Sequence, residues 1–114
     1  MIQLEGVDSN MIANNLTPFY VTHPGEVIKD EVEYRGISQR ALAEQIGMSY
    51  KALNDILNER RTVTAETAML FEAALGISAK TILALQMEFN MSQVSKNKTF
   101  LARLSSIRKV AAVL

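Results

Sequence analysis

Cysteine is absent from this 114-residue chain, histidine occurs once, and the charges cancel, with 12 basic against 12 acidic side chains. Without cysteine there is neither a disulfide framework nor a thiolate metal site. One histidine alone does not assemble a usual zinc site, so His23 is read as a helix-start residue before Pro24-Gly25. Serines, threonines and carboxylates form no nucleophile-plus-base constellation, and no glycine-rich loop is suited to cradling phosphate. Neither an enzyme nor a cofactor is expected. No apolar run approaches the roughly 20 residues needed to cross a bilayer. The N-terminus also lacks the basic-then-apolar order of a signal peptide. The expectation is a soluble, cytoplasmic protein without a membrane role, one domain with a tail and large enough for a core of its own.

The most informative stretch is residues 38–58, two short amphipathic segments broken by one glycine. Ser38 is a good N-cap, and Leu42, Ala43 and Ile46 then make one apolar stripe while Gln39, Arg40, Glu44 and Gln45 stay in water. Gly47 stops the segment in the left-handed conformation that side chains disfavour. Met48 fills the corner, Ser49 caps again, and Ala52, Leu53, Ile56 and Leu57 form the second buried stripe. Tyr50, Lys51 and Asn54 share the opposite face. This is the pattern of a helix-turn-helix, whose second helix lies in the DNA major groove with its N-terminal residues at base edges.

Residues 38–47, Met48-Ser49-Tyr50 and Ile56-Leu57-Asn58-Glu59-Arg60-Arg61 resemble the lambda-repressor-like, or Xre-type, DNA-binding domains. Thr22-His23-Pro24-Gly25-Glu26-Val27-Ile28 before the motif, residues 61–68 after it and Leu85-Gln86 narrow the resemblance to the HigA antitoxins. It covers about residues 20–91. The resemblance implies a repressor of its own operon that also binds a small RelE-like, messenger-RNA-cleaving toxin. An arm of about 20 residues and a helical tail are less typical of that family, and the residues before Leu85-Gln86 lack the aromatic often found there.

The rest of the chain reads as an all-α fold: a five-helix lambda-repressor-like DNA-binding domain, an N-terminal arm and an additional C-terminal amphipathic helix. Residues 1–21 have no sustained period and are assigned to the arm, with Phe19, Tyr20 and Val21 able to pack it on the domain. Residues 22–91 form the DNA-binding domain. Thr22 or His23 caps its first helix, which runs to about Tyr34, buries Val27, Ile28 and Val32 and ends at Gly36. Asn58 to Val63 is a polar loop. Thr64 caps a fourth helix whose apolar surface is Met69, Leu70, Phe71, Ala74 and Leu75. Ser78 caps a fifth to about Asn90, with Ile82, Leu85 and Phe89 on one side. The methionines are read as core fillers. Residues 92–114 form the extension: residues 90–97 are polar enough for a hinge, and Phe100, Leu101, Leu104, Ile107, Val110, Ala111 and Leu114 recur at helical spacing. Such a face needs a partner surface, on its own domain, on a second subunit or on another protein.

Charge distribution qualifies the zero net charge. Residues 35–61 carry five basic and three acidic groups and residues 92–114 five and none, whereas residues 1–34 carry one and six. Local field rather than total charge is felt within a Debye length of about 8 Å. A modest sequence-independent affinity is expected, so specific binding leans on a homodimer that presents two recognition helices to a palindromic operator of double-stranded DNA. Dimer contacts come from residues 79–90 or from the basic tail.

The candidate DNA-binding residues are Ser38, Gln39, Arg40, Ser49, Tyr50, Lys51, Asn54, Asn58, Arg60 and Arg61. Tyr50 and Lys51, with Asn54 nearby, are the base-edge candidates, since tyrosine reaches with its hydroxyl or packs on a thymine methyl and lysine donates to guanine acceptors. The alternative for Tyr50 is packing against the helix it caps. Ser49 is either a cap or a ligand. In the resembling family the position of Gln39 contacts phosphate and braces the next helix; otherwise it is a solvated amide. Asn58 ends the recognition helix in a left-handed turn, and its amide, with Arg60 and Arg61, approaches the phosphate backbone unless these are merely a wet loop. Two further readings remain: a stand-alone Xre-type regulator without a toxin, and a protein-interaction module working through its C-terminal helix.

Overall fold

The computed structural model describes residues 21–113, and every element among them is helical. Six helices follow one another: α1 (Pro24–Arg35), α2 (Gln39–Ile46), α3 (Tyr50–Leu57), α4 (Ala65–Leu75), α5 (Ala79–Val94) and α6 (Lys98–Ala111). The arm assigned to residues 1–21 lies outside the described residues except for Val21, as does Leu114.

Each helix starts where a side chain can accept a hydrogen bond from a backbone N–H left without an intrahelical partner. His23, Ser38, Ser49, Thr64, Ser78 and Asn97 do so in turn, each bonding two or three residues ahead. A cap of this kind contributes about 1 kcal/mol. Between Thr22 and His23 the structure chooses the histidine, whose Nδ1 accepts from the Gly25 N–H at 2.9 Å.

Around Phe71, α4 packs on α5, α2 on both α3 and α4, and α1 on both α3 and α5. Ile28, Val32, Leu42, Ala43, Leu53, Ile56, Leu57, Val63, Ala68, Leu75 and Ile82 complete the interior, with Ile46 and Met48 against it. Two contacts fix α1. A Cβ on Gly25 would overlap the backbone carbonyl of Ile56, so glycine is what lets α1 approach the end of α3. His23 is buried and meets Phe89 of α5 edge-on, with ring centroids 4.7 Å apart. Burial lowers the His23 pKa below the ordinary imidazole value, partly opposed by the Glu59 carboxylate. Its acceptor role at Nδ1 likewise requires that nitrogen to be unprotonated.

Several apolar residues sit differently from expectation. Val27 and Ala74 are half-buried, because the inward stripes run through Ile28 and Val32 on α1 and through Ala68, Phe71 and Leu75 on α4. Met69 is 63% exposed and Leu70 is also exposed, being turned about 100° or more from that stripe. Met87 and Met91 are exposed as well, so only Met48 among the methionines after residue 20 packs against the core. The fifth helix continues to Val94 rather than Asn90, since residues 90–94 hold neither glycine nor proline. The connection to α6 is therefore Ser95-Lys96-Asn97 alone, and no residue of α6 is buried.

Candidate nucleic-acid interface

The turn from α2 to α3 is built by Gly47, whose φ of 76° allows its own N–H to reach Glu44 O and the Met48 N–H to reach Ala43 O. These paired bonds satisfy the last carbonyls of α2 and reverse the chain, so that α3 crosses α2 after only three residues. The same motif ends α3, but without a glycine. Asn58 has φ −102°, and it is Glu59, at φ 64°, that takes the left-handed turn. The Glu59 N–H then bonds Ile56 O and the Arg60 N–H bonds Asp55 O. The left-handed residue is thus one position later than expected, and the reversal throws Arg60 back along the exposed face of α3.

That reversal joins residues far apart on the helix surface. The Asn54 carboxamide donates to Gln39 Oε1 at 3.1 Å, bracing α3 against α2, and its oxygen accepts from Arg60 Nη2 at 3.2 Å. Asp55 Oδ1 accepts from the same guanidinium, at 3.0 Å from Nη2 and 3.3 Å from Nε. Asp55 Oδ2 accepts from Lys51 Nζ at 3.1 Å, with Arg61 Nη2 at 3.9 Å. The Lys51 ammonium, first, and the Arg60 guanidinium hold the Asp55 carboxyl below its usual pKa, against an opposing effect of burial. Asn58 Nδ2 donates to the Asn54 carbonyl at 2.9 Å, and the Arg40 guanidinium lies 4.2 Å from the centre of the Tyr50 ring.

All ten candidate residues thus fall on the two-helix motif and the loop after it. Ser38 and Ser49 accept from the N–H groups of Ala41 and Ala52, each at 3.0 Å. Lys51, its side chain 82% exposed, extends outward, whereas Asn54 is half-buried and committed at both ends of its amide. Tyr50 is turned against Arg40 within the motif and is 39% exposed.

Two residues that support this arrangement were not among the candidates. Asp55 lies four residues after Lys51, a spacing that alone signals an ion pair; its bonds to Arg60 depend on the turn at Glu59, which no glycine marks. Gln86, buried on α5, accepts from the Val63 N–H at 2.8 Å and donates to Asn90 at 3.0 Å, fastening the end of the loop that carries Arg60 and Arg61. A lone glutamine among apolar residues gives little sequence signal of that role.

A helix-turn-helix family pattern matches residues 28–82. Virulence-associated protein I of Dichelobacter nodosus is 31% identical over 77 residues, which span 67% of this chain and 71% of that protein. The antitoxin HigA of Pseudomonas aeruginosa, solved with the higBA promoter, is 30% identical; the match covers 72% of this chain and 91% of that one, with a TM-score of 0.65. An addiction module antidote protein of the HigA family from Coxiella burnetii shares the fold, at 24% identity and a TM-score of 0.66 over 75% of this chain and 95% of that one.

Proposed function

Because this chain belongs to the HigA-type family of Xre-like helix-turn-helix proteins, we propose that it is a sequence-specific repressor of its own operon. We infer further that it is the antitoxin of a type II pair, neutralising a RelE-like, messenger-RNA-cleaving toxin by direct binding. One observation carries the DNA reading. The exposed face of α3 presents Lys51, with Tyr50 beside it against Arg40, and the chain reversal at Glu59 brings Arg60 and Arg61 to Asp55 alongside Lys51.

In this mechanism α3 enters the major groove. Tyr50 and Lys51 meet base edges, while Gln39, Arg40, Asn58, Arg60 and Arg61 hold phosphates and fix the register. A homodimer places two such helices about one helical turn, roughly 34 Å, apart on a palindromic operator. Residues 22–91 bind DNA. The extension from residue 92, with α6 exposed and basic, serves the second subunit or the toxin. No helix of the described residues is long and apolar enough to cross a membrane.

The test is to purify the full chain, tagged at its N-terminus, from its own host after a high-salt wash and nuclease treatment. A stoichiometric small protein whose separate expression arrests growth supports the antitoxin reading. Recovery of a bare homodimer, with neighbouring genes expressed, favours a stand-alone regulator instead.

A further inference from the structure

Asp55 is the one acid on α3, and helix stability does not account for its place. It lies in the last turn, where the negative end of the helix dipole disfavours a carboxylate, and aspartate is a weak helix former. Its side chain is 13% exposed, yet the cations around it are open to solvent, with Lys51 at 82%, Arg60 at 59% and Arg61 at 52%. The arrangement is a recessed negative charge behind three outward positive ones.

This geometry acts on DNA in two ways. It fixes the fork of Arg60, which donates to Asp55 through both Nε and Nη2 and to Asn54 through Nη2. A phosphate must therefore come to the guanidinium where it stands. It also makes any phosphate compete with a carboxylate already in contact with Lys51 and Arg60, so a duplex offering only backbone charge gains little. A duplex that presents a base acceptor to Lys51 and a phosphate in register with Arg60 gains both contacts at once.

Resting on the reading that α3 docks on DNA, we propose that Asp55 is a specificity-determining positioning residue. It restrains Lys51, Arg60 and Arg61 and suppresses binding to non-cognate DNA.

The experiment first enriches a duplex from a random library with the full chain. Fluorescence anisotropy then compares that duplex with a shuffled one of equal length and composition across a potassium chloride series, using the wild type, Asp55→Asn and Asp55→Glu. Asp55→Asn is expected to bind the shuffled duplex about tenfold more tightly at low salt, with a log–log salt slope steeper by about one. The enriched duplex gains nothing, so the ratio of the two affinities falls about tenfold, and Asp55→Glu recovers most of it. If Asp55→Asn does not fold, judged by circular dichroism, Asp55→Ser carries the same expectation. A folded uncharged variant whose ratio stays within twofold of the wild type overturns the role of Asp55 alone. Failure of the wild-type chain to enrich any sequence overturns the DNA reading itself, and this proposal with it.

Discussion

The amide of Asn54 bridges the two helices of the motif, donating to Gln39 at 3.1 Å on α2 while accepting from Arg60 at 3.2 Å beyond the end of α3. One side chain thereby ties α3 both to α2 and to the arginine that follows α3. Each end of the amide makes one bond inside the protein, which gives Asn54 a bracing role between α2, α3 and the loop. Gln39→Ala and Asn54→Ala should each cost about 0.5–1.5 kcal/mol of stability, the net worth of an intramolecular hydrogen bond. A double-mutant cycle measured by urea unfolding should return a coupling of at least about 0.5 kcal/mol, and additive costs would show that the bridge contributes nothing.

The approach of α1 to α3 rests on Gly25, where a Cβ would collide with the Ile56 carbonyl. Gly25→Ala should destabilise the domain by about 1–3 kcal/mol, as overpacking does. Gly47→Ala meets no neighbour and should cost only the roughly 1–2 kcal/mol of a left-handed residue. Thermal unfolding of both variants tests this, and an unchanged midpoint for Gly25→Ala would contradict the packing described.

Glu59 occupies a left-handed position that glycine holds at Gly36, Gly47 and Gly76. Glu59→Gly should relieve the strain and raise stability by up to about 1 kcal/mol, less the entropy a glycine adds to the unfolded chain. A loss of stability on substitution would mean that the Glu59 side chain contributes more than its backbone costs.

Burial holds the His23 pKa below its unfolded value, so protons bind the unfolded chain more readily. The stability His23 contributes is fully present above the unfolded pKa, near 6.5, and is lost as pH falls from there through the lowered folded pKa. Below that it changes no further. The unfolding midpoint in urea should therefore drop between neutral and mildly acidic pH, and His23→Gln should flatten that part of the profile. A wild-type midpoint independent of pH across this window would contradict it.

No residue of α6 is buried and only Ser95-Lys96-Asn97 joins it to α5, so removal of residues 98–114 should leave the domain's stability within about 0.5 kcal/mol of the intact chain. The same truncation is expected to impair dimerisation or partner capture, read by analytical ultracentrifugation and by co-purification. Unfolding of the truncated chain would show that α6 belongs to the core.

Helix positions and the two-helix motif were legible because caps and glycines mark them chemically. Ser38, Gly47 and Ser49 each stand where a backbone N–H or a left-handed turn demands that residue type. The end of α3 was not legible to the residue, since Glu59 does the work of a glycine and carries no mark of it. Apolar content misled at Met69, Met87 and Met91, because a methionine's chemistry does not say which side of a helical stripe it falls on. The candidate side chains could be gathered on one motif from spacing alone. Their mutual bonds through Asp55 required the fold of the loop, which long-range contacts such as Gln86 to Val63 hold in place.

In the proposed docking, α3 reads bases while the loop after it holds phosphates. The most direct test is the affinity of four alanine variants for an enriched and a shuffled duplex across a salt series. Tyr50→Ala and Lys51→Ala should lose about 1–3 kcal/mol on the enriched duplex and relax the preference at single positions, whereas Arg60→Ala and Arg61→Ala should weaken both duplexes and reduce the salt slope by about one. Affinities indifferent to all four substitutions would contradict the docking proposed.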